Sequence, residues 1–355
     1  MQQGISLQEL AKQLKEVEEQ KRDFIVSTPA LWMRETGKSM EMEGNGSYML
    51  TDVFHDQVAD KLQIPRTYYG RMLETAPDLL STNVNAWFRK EPEKRMVRTL
   101  NIPNGNIMRA FLSDKFTTTR DNAVVAQAVL PVLFRQQTEF GMEIKSCDLT
   151  PKRLYLQCVY PKLQAEIKLG DAVQGGIVIS NSEIGLGSFQ IELLIYRLVC
   201  MNGMIRPATI RKHHVGRRID TDEEVNTTFY RRETIQADQK AFEMKVADVV
   251  NHSFDKKKFD EEVLKLQESA TDIFKARKAG DLVEEVSKKF NISKDDGGNI
   301  LDALADGNDF SRWGLANAIT FQACGAKDYD KSIEFERIGG KIIDLPRSEW
   351  KAMLN

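Results

Sequence analysis

The segment from Gly175 to Arg218 constrains the fold of this chain more than any other. It opens with glycines around a polar turn, continues as an apolar run to Cys200, and ends in basic residues. Closely spaced glycines favour sharp backbone features, and a long apolar run is typical of a buried element. From Arg206 to Arg218 there are five Lys or Arg residues, two histidines and no acid. Because Lys and Arg are almost never fully buried without a partner, this run predicts a surface that faces anions.

The composition is that of an ordinary globular protein. With 355 residues, 41% of them hydrophobic and 29% charged, the chain can bury one large core or form two or three subdomains. Its four cysteines are scattered without a Cys-x-x-Cys pair, which argues against a disulfide framework or a structural zinc and fits a reducing cytoplasm. No window approaches the length of about 18 apolar residues that a membrane span needs, and no signal peptide is evident.

Charge is unevenly distributed along the chain. The formal net charge of −2 divides into −4 for residues 1–83, +9 for residues 84–218 and −7 for residues 219–355. A basic middle between acidic flanks indicates either polyanion binding or pairing of the middle with acidic flanks of neighbouring subunits. Charges simply interspersed over a solvated surface are the alternative.

The hydrophobic periodicity predicts an α+β fold, with a central mixed or antiparallel sheet and a packed helix between two helical regions. Residues 1–83 are predicted to be an N-terminal helical region, 84–219 a basic α+β core, and 220–355 a C-terminal helical region. Strands are expected at 95–100, 107–112, 143–149, 153–160 and 176–180. Helices are expected at 6–22 and 121–137. The apolar run 191–201 fits either part of a strand within 189–200 or a buried helix, and its length favours the helix. Two short helices are expected to meet at Ile64-Pro65, since proline is tolerated in the first turn of a helix.

Cationic and aromatic residues alternate in the basic middle, for example around Trp87 and Phe88. Proteins that bind single-stranded nucleic acid combine rings that stack on bases with cations that contact phosphates. We therefore expect two separate stretches to form one cationic track. The candidate binding residues are Arg89, Lys94, Arg95, Arg98, Arg109, Arg206, Arg211, Lys212, His213, His214, Arg217 and Arg218.

Other chemistry is less well supported by the sequence. His213 and His214 have no Cys or His three or four residues away, so no metal site and no cofactor are expected. The turn Asn181-Ser182-Glu183 either caps backbone or holds a ligand. Asp171 and Glu183 flank a predicted strand and could meet as a pair of carboxylates. No catalytic residue is assigned, because neither has an identifiable second partner.

Several short segments together resemble a family found in phages and plasmids, the domain of unknown function numbered 932. They are Arg95–Leu100, Arg109–Asp114, Gly176–Gly185, Cys200-Met-Asn-Gly203 and Asn317–Thr320, and the resemblance extends over about residues 50–340. It implies a mobile genetic element in the cytoplasm of a bacterial cell, where replication, recombination and host defence are the usual processes. It implies no catalytic residue, because the family has no assigned activity.

Three functions follow from these observations. The first is a non-catalytic protein of a phage or prophage that binds single-stranded DNA or RNA, anneals or protects strands, and forms a homo-oligomer such as a ring. The second is a protein-interaction factor that counters a host defence complex. The third is a nucleotide-binding enzyme that uses Glu183 and Asp171. None of them involves a membrane.

Overall fold

The computed structural model describes residues 1–103, 105–116, 120–212, 232–252 and 255–354. For residues 207–212, 232, 235, 236 and 239 it describes the backbone alone. These residues form two β-sheets and a set of helices, which confirms the α+β class. There are two sheets rather than the single sheet that was predicted.

The first sheet has six strands and is mixed. Its spatial order is β1-β5-β6-β4-β3-β2, and β4 runs parallel to β6 while the other neighbours are antiparallel. The strands are β1 (Lys21–Ser27), β2 (Leu31–Met33), β3 (Ser39–Met42), β4 (Gly46–Leu50), β5 (Lys94–Ile102) and β6 (Gly105–Ser113). Three helices, α2 (Asp52–Lys61), α3 (Arg66–Thr75) and α4 (Pro77–Lys90), share its hydrophobic core.

The prediction that residues 1–83 are helical is wrong for residues 21–50, which hold four strands. These strands are short, so their two-residue alternation extends over too few positions to stand out from the sequence. In β2, for example, Leu31 and Met33 are buried while Trp32 between them is exposed. The predicted boundary at residues 83 and 84 lies inside α4, and the strands on either side of it belong to the same sheet.

The second sheet is an antiparallel meander of five strands in the order β11-β10-β9-β8-β7. The strands are β7 (Glu143–Leu149), β8 (Leu154–Lys168), β9 (Asp171–Asn181), β10 (Phe189–Arg197) and β11 (Asn202–Lys212). The predicted helix over 191–201 is therefore wrong. Since β10 pairs with β9 and β11 and lies between helices on both faces, its apolar run is continuous like that of a buried helix.

Helices cover both faces of the second sheet. Ile177 and Ile179 belong to a core with α1 (Leu7–Gln20), α5 (Asn122–Phe140) and α6 (Arg232–His252). Val178, which points the other way along the strand, packs near Tyr329 and Ile333 of α11 (Tyr329–Asp344). The predicted helices at 6–22 and 121–137 and the pair that meets at Ile64-Pro65 are confirmed.

The remaining helices form a C-terminal group around the buried Trp313. They are α7 (Lys256–Thr271), α8 (Ala279–Phe290), α9 (Lys294–Gly307), α10 (Arg312–Phe321) and α12 (Arg347–Met353). Among the described residues, no helix combines the length and the apolar character that crossing a membrane requires.

Candidate nucleic-acid interface

Arg98, a predicted phosphate contact, lies in the interior on β5. Only 1% of the residue is exposed, and its guanidinium donates to both oxygens of Asp23 at 2.9 and 2.8 Å and to Asp121 at 2.8 Å. Burial alone would lower the pKa of this group, but the hydrogen bonds to Asp121 and Asp23 raise it above its ordinary value. Arg98 therefore stays charged and fully paired inside the protein. Its assignment to a binding surface is wrong.

Arg109 on β6 is also buried, and its partner is the carboxylate of the predicted ligand turn. Its Nη1 donates to Oε1 of Glu183 at 2.8 Å. The other carboxylate oxygen of Glu183 accepts a hydrogen bond from the backbone N–H of Asn122 at 3.1 Å, at the start of α5. Since this buried ion pair leaves no free charge on Arg109, the prediction that Arg109 contacts phosphate is wrong.

The rest of the turn is buried and hydrogen-bonded in the same way. The Asn181 amide donates to the carbonyl of Arg120 at 2.8 Å and to Oδ1 of Asn122 at 2.9 Å. The Ser182 hydroxyl donates to the carbonyl of Lys152 at 2.9 Å. These bonds bring together Arg98, Arg109, Asp121, Asn181 and Glu183, which we name the inter-sheet cluster. It joins β5 and β6 of the first sheet to the end of β9 in the second.

The predicted pairing of Asp171 with Glu183 is wrong. Asp171 is the first residue of β9 and Glu183 lies just beyond its last residue, so at about 3.3 Å per residue they are some 40 Å apart along the strand. Asp171 instead accepts hydrogen bonds from Arg197 at 2.6 and 2.9 Å and from the indole of Trp313 at 2.9 Å. An enzyme that holds one ligand between these two carboxylates does not fit this fold.

Arg206 begins the predicted basic run, and the structure places it inside the protein. It is 3% exposed; its guanidinium contacts Glu262 at 3.0 Å, the carbonyl of Gly340 at 2.8 Å, and Asp344. It is therefore a structural arginine rather than a phosphate contact. For Arg211 and Lys212, at the end of β11, the backbone alone is described. His213, His214, Arg217 and Arg218 lie outside the described residues.

The other three predicted cations lie at or near the surface. Arg89 and Lys94 are exposed, while Arg95 is partly buried and paired with Glu93 at 2.7 Å. The described residues therefore form no continuous cationic track between the two predicted stretches. What remains solvent-facing is the region around the end of α4.

Two exposed tryptophans lie in that region, each beside an exposed cation. Trp32 on β2 is 41% exposed, and the Arg89 guanidinium lies 4.4 Å from its ring centroid. Trp87 on α4 is 36% exposed, with the Lys90 ammonium 4.5 Å from its centroid. We name Trp32, Trp87, Arg89, Lys90 and Lys94 the tryptophan surface. Cations near ring faces at these distances are attracted by the ring quadrupole.

Two buried side chains, Asn85 and Thr28, hydrogen-bond to the main chain of β2 and of the end of α4. The buried Asn85 of α4 accepts from the backbone N–H of Met33 at 2.8 Å and donates to its carbonyl at 2.9 Å, so it fixes β2 against the helix. The buried Thr28 hydroxyl donates to the carbonyl of Phe88 at 3.1 Å near the helix end. Because both anchors are buried, they hold the backbone beside Trp32 and Arg89.

The chain was compared with protein-family models, curated proteins and solved structures. The model described as a domain of unknown function (DUF932) matches residues 113–326. The chain belongs to the DUF932 family. No curated protein and no solved structure matches it significantly. In this DUF932 chain, Asp121, Asn181 and Glu183 of the inter-sheet cluster lie within the matched residues. Arg98, Arg109 and the tryptophan surface precede them.

Sequence reasoning identified Trp87, Arg89 and Lys94 but missed Trp32. The signal for it was local: Leu31-Trp32-Met33 follows Pro29, and alternation in a short strand turns the central residue outward. The contact between Trp32 and Arg89 depends on the packing of α4 against β2. The sequence alone does not reveal it, because the two residues are 57 positions apart.

Proposed function

We propose that this chain binds single-stranded nucleic acid, without catalysis, through the tryptophan surface. The observation that carries the proposal is the exposed Trp32 ring with the Arg89 guanidinium 4.4 Å from its centroid, on a strand that Asn85 anchors. A ring in that position can stack on an unpaired base while the neighbouring cation contacts a phosphate. Bases in a duplex are already stacked on each other, so unpaired strands are the expected ligand.

The charges around Trp32 are compatible with this ligand. Glu41, which lies opposite Trp32 in the strand register, is ion-paired with Arg34. Arg89, Lys90 and Lys94 have no ion pair to a carboxylate among the residues that the structure describes, so their charges are available to phosphates. Association should therefore depend on salt, because each neutralised phosphate releases counterions. The mobile-element setting and a role in annealing or protecting strands belong to the same proposal.

The test is fluorescence anisotropy with labelled single-stranded DNA and RNA over a salt series. Trp32→Ala should weaken binding by about fivefold to about a hundredfold, because one stacked base contributes about 1–3 kcal/mol. Phe134→Ala is the matched control: Phe134 is 47% exposed on α5, distant in sequence from the tryptophan surface. Absence of binding at about 50 mM salt would refute the proposal. An equal loss in both variants would show that Trp32 has no specific part in it.

A protein partner is the second candidate, since tryptophan and arginine are enriched in the energetically dominant residues of protein interfaces. Two exposed tryptophans near the end of α4, each with a cation over its ring, favour this alternative over a purely solvated face. The two candidates separate in a capture experiment with and without nuclease. The protein-interaction function would be favoured if a protein partner is still captured after nuclease treatment and is no longer captured by Trp32→Ala. The chain should then also fail to bind oligonucleotides.

A further inference from the structure

A cavity of about 470 Å³ lies between the start of β8, the segment after β9, and α11. That volume is within the range of about 300–1,000 Å³ that small-molecule sites occupy. Its apolar wall is made of Leu186, Phe290 and Ile338, and its polar wall contains Lys152, Arg153, Tyr155 and Lys341 together with residues of α11. It lies outside the tryptophan surface.

Arg153 is a partly buried guanidinium that forms no ion pair among the described residues. Its one side-chain hydrogen bond among the described residues goes to the carbonyl of Leu186, and no described carboxylate oxygen comes within 4.0 Å of it. Burial lowers the pKa of Arg153 below its ordinary value and the neighbouring Arg337 lowers it further, while Tyr155, Asp330 and Glu192 oppose the shift in part. Since an arginine remains charged in proteins, the cavity contains a positive charge that a bound anion would stabilise.

Three carboxylates, Asp328, Asp330 and Glu334, also line this cavity, and each has a partner within the protein. Asp330 accepts from the Tyr155 hydroxyl at 2.8 Å, and Asp328 caps α11 by accepting from the backbone N–H of Lys331 at 2.8 Å. Glu334 pairs with Lys331 at 2.9 Å, and Arg337 pairs with Glu192. By contrast, Lys152 and Lys341 line the cavity and form no ion pair among the described residues. The cavity lining therefore contains three cations without an ion pair, Lys152, Arg153 and Lys341, against two carboxylates, Asp328 and Asp330, whose hydrogen-bond donors among the described residues are neutral.

A larger cavity of about 610 Å³ beside Arg206 does not offer the same chemistry. The Arg206 guanidinium is already paired with Glu262 and Asp344, so its charge is compensated within the protein. The distinction lies in charge rather than in volume.

We infer that the cavity around Arg153 is a binding site for a phosphate monoester. Arg153 offers a planar donor group that suits a phosphate. Lys152, just before β8, and Lys341, on α11, supply further positive charge. The Phe290 ring, 6.0 Å from the Lys341 ammonium, and Leu186 would contact an apolar or ring-bearing part of the same molecule. This site does not depend on the nucleic-acid proposal.

The experiment is isothermal titration of the full chain with three probes: inorganic phosphate, a nucleoside monophosphate and the corresponding nucleoside. We expect the two phosphates to bind saturably and the nucleoside not to bind. Equal affinity of the two phosphates would identify the phosphate group as the whole ligand, and tighter binding of the monophosphate would add the ring. Binding of the nucleoside as tight as its monophosphate, or no saturable binding by either phosphate, would overturn the inference.

Variants locate the site. Lys341→Met should weaken phosphate binding by at least about tenfold, because hydrogen bonds to charged groups are worth about that factor or more. Lys12→Met, an exposed lysine of α1, is the matched control and should bind unchanged. Arg153→Lys tests the guanidinium while keeping a donor for the Leu186 carbonyl. Because Lys341 is exposed, Lys341→Met should fold and stays informative even if Arg153→Lys does not fold. Unchanged affinity in Lys341→Met and Arg153→Lys would refute the site, and Trp32→Ala should leave it intact.

Discussion

Glu336 of α11 places an ionisable carboxyl group in the interior of the protein. It is completely buried, and its carboxyl accepts a hydrogen bond from the Gln157 amide at 2.6 Å. Burial raises the pKa of this carboxyl to about 7, although the Met1 ammonium, Gln157 and Arg337 oppose the shift. The folded protein therefore holds a proton here under conditions in which the unfolded chain has lost it.

This residue makes stability depend on pH. Between the ordinary pKa of 4.5 and the folded value of about 7, the folded state binds more protons than the unfolded state, so the free energy of unfolding falls as pH rises. The expected loss is about 3 kcal/mol between about pH 4 and about pH 8. Glu336→Gln should remove most of it and stabilise the protein at the higher pH, as measured by urea denaturation.

Glu334→Gln is the matched control for that measurement. Glu334 lies on the same helix, but its side chain is 48% exposed and pairs with Lys331 at the surface. Its removal should leave the pH dependence of unfolding unchanged. If Glu336→Gln and the wild-type chain lost stability equally between the two pH values, Glu336 would not be the titrating group.

At the scale of elements, the inter-sheet cluster joins the two sheets through charge. Asp121 is 2% exposed and pairs with both Arg98 and Lys21, so removing its charge takes a buried partner from two cations and leaves Arg98 with Asp23 alone among the described carboxylates. Asp121→Asn should lower the free energy of unfolding by about 3–5 kcal/mol. Asp56→Asn, which removes a carboxylate from an exposed contact with Arg66 at 3.2 Å, should cost about 1 kcal/mol or less. Similar losses in the two variants, measured by chemical denaturation, would contradict the role of the cluster.

The contact of α11 with β11 depends on a residue without a side chain. A Cβ atom at Gly340 would lie 1.9 Å from the backbone carbonyl oxygen of Ile205, so the helix and the strand would have to separate. Gly340→Ala should destabilise the protein by about 1–3 kcal/mol or more, because backbone cannot move aside as a side chain can.

Gly280→Ala provides the comparison for Gly340. Gly280 also lies in a helix, but apart from its own helix backbone no atom of the described residues lies within 4 Å of the position of its missing Cβ. Alanine there should raise the melting temperature, since it favours the helix by up to about 1 kcal/mol. A neutral or stabilising Gly340→Ala would mean that α11 does not pack as closely as described.

For the whole molecule, some cations of the basic middle pair with the acidic flanks within one chain. Arg98 of the basic middle pairs with Asp23 of the N-terminal flank, and Arg206 pairs with Glu262 and Asp344 of the C-terminal flank. Lys168 and Asp309 add a further pair at 2.9 Å. Pairing of the middle with the flanks was one of the alternatives that the charge distribution left open, but there it was expected between neighbouring subunits.

Elements with a clear period were predictable, and contacts between distant residues were not. The periodicity of Leu7, Leu10 and Leu14 identified α1, and Ile64-Pro65 marked the break between α2 and α3. The burial of Arg98 and Arg206 was missed, because their partners lie 75 and up to 138 residues away in the sequence. A cationic residue looks the same in a sequence whether it faces water or a buried carboxylate.

The anchoring of β2 by Asn85 has a consequence for self-association. An edge strand with free main-chain groups is a template on which another chain can add a strand and start aggregation. At β2 the Asn85 amide occupies the N–H and carbonyl of Met33, as a neighbouring strand would. Growth of the first sheet by strand addition would therefore have to begin at its other edge, β1, where charged residues such as Arg22 oppose it.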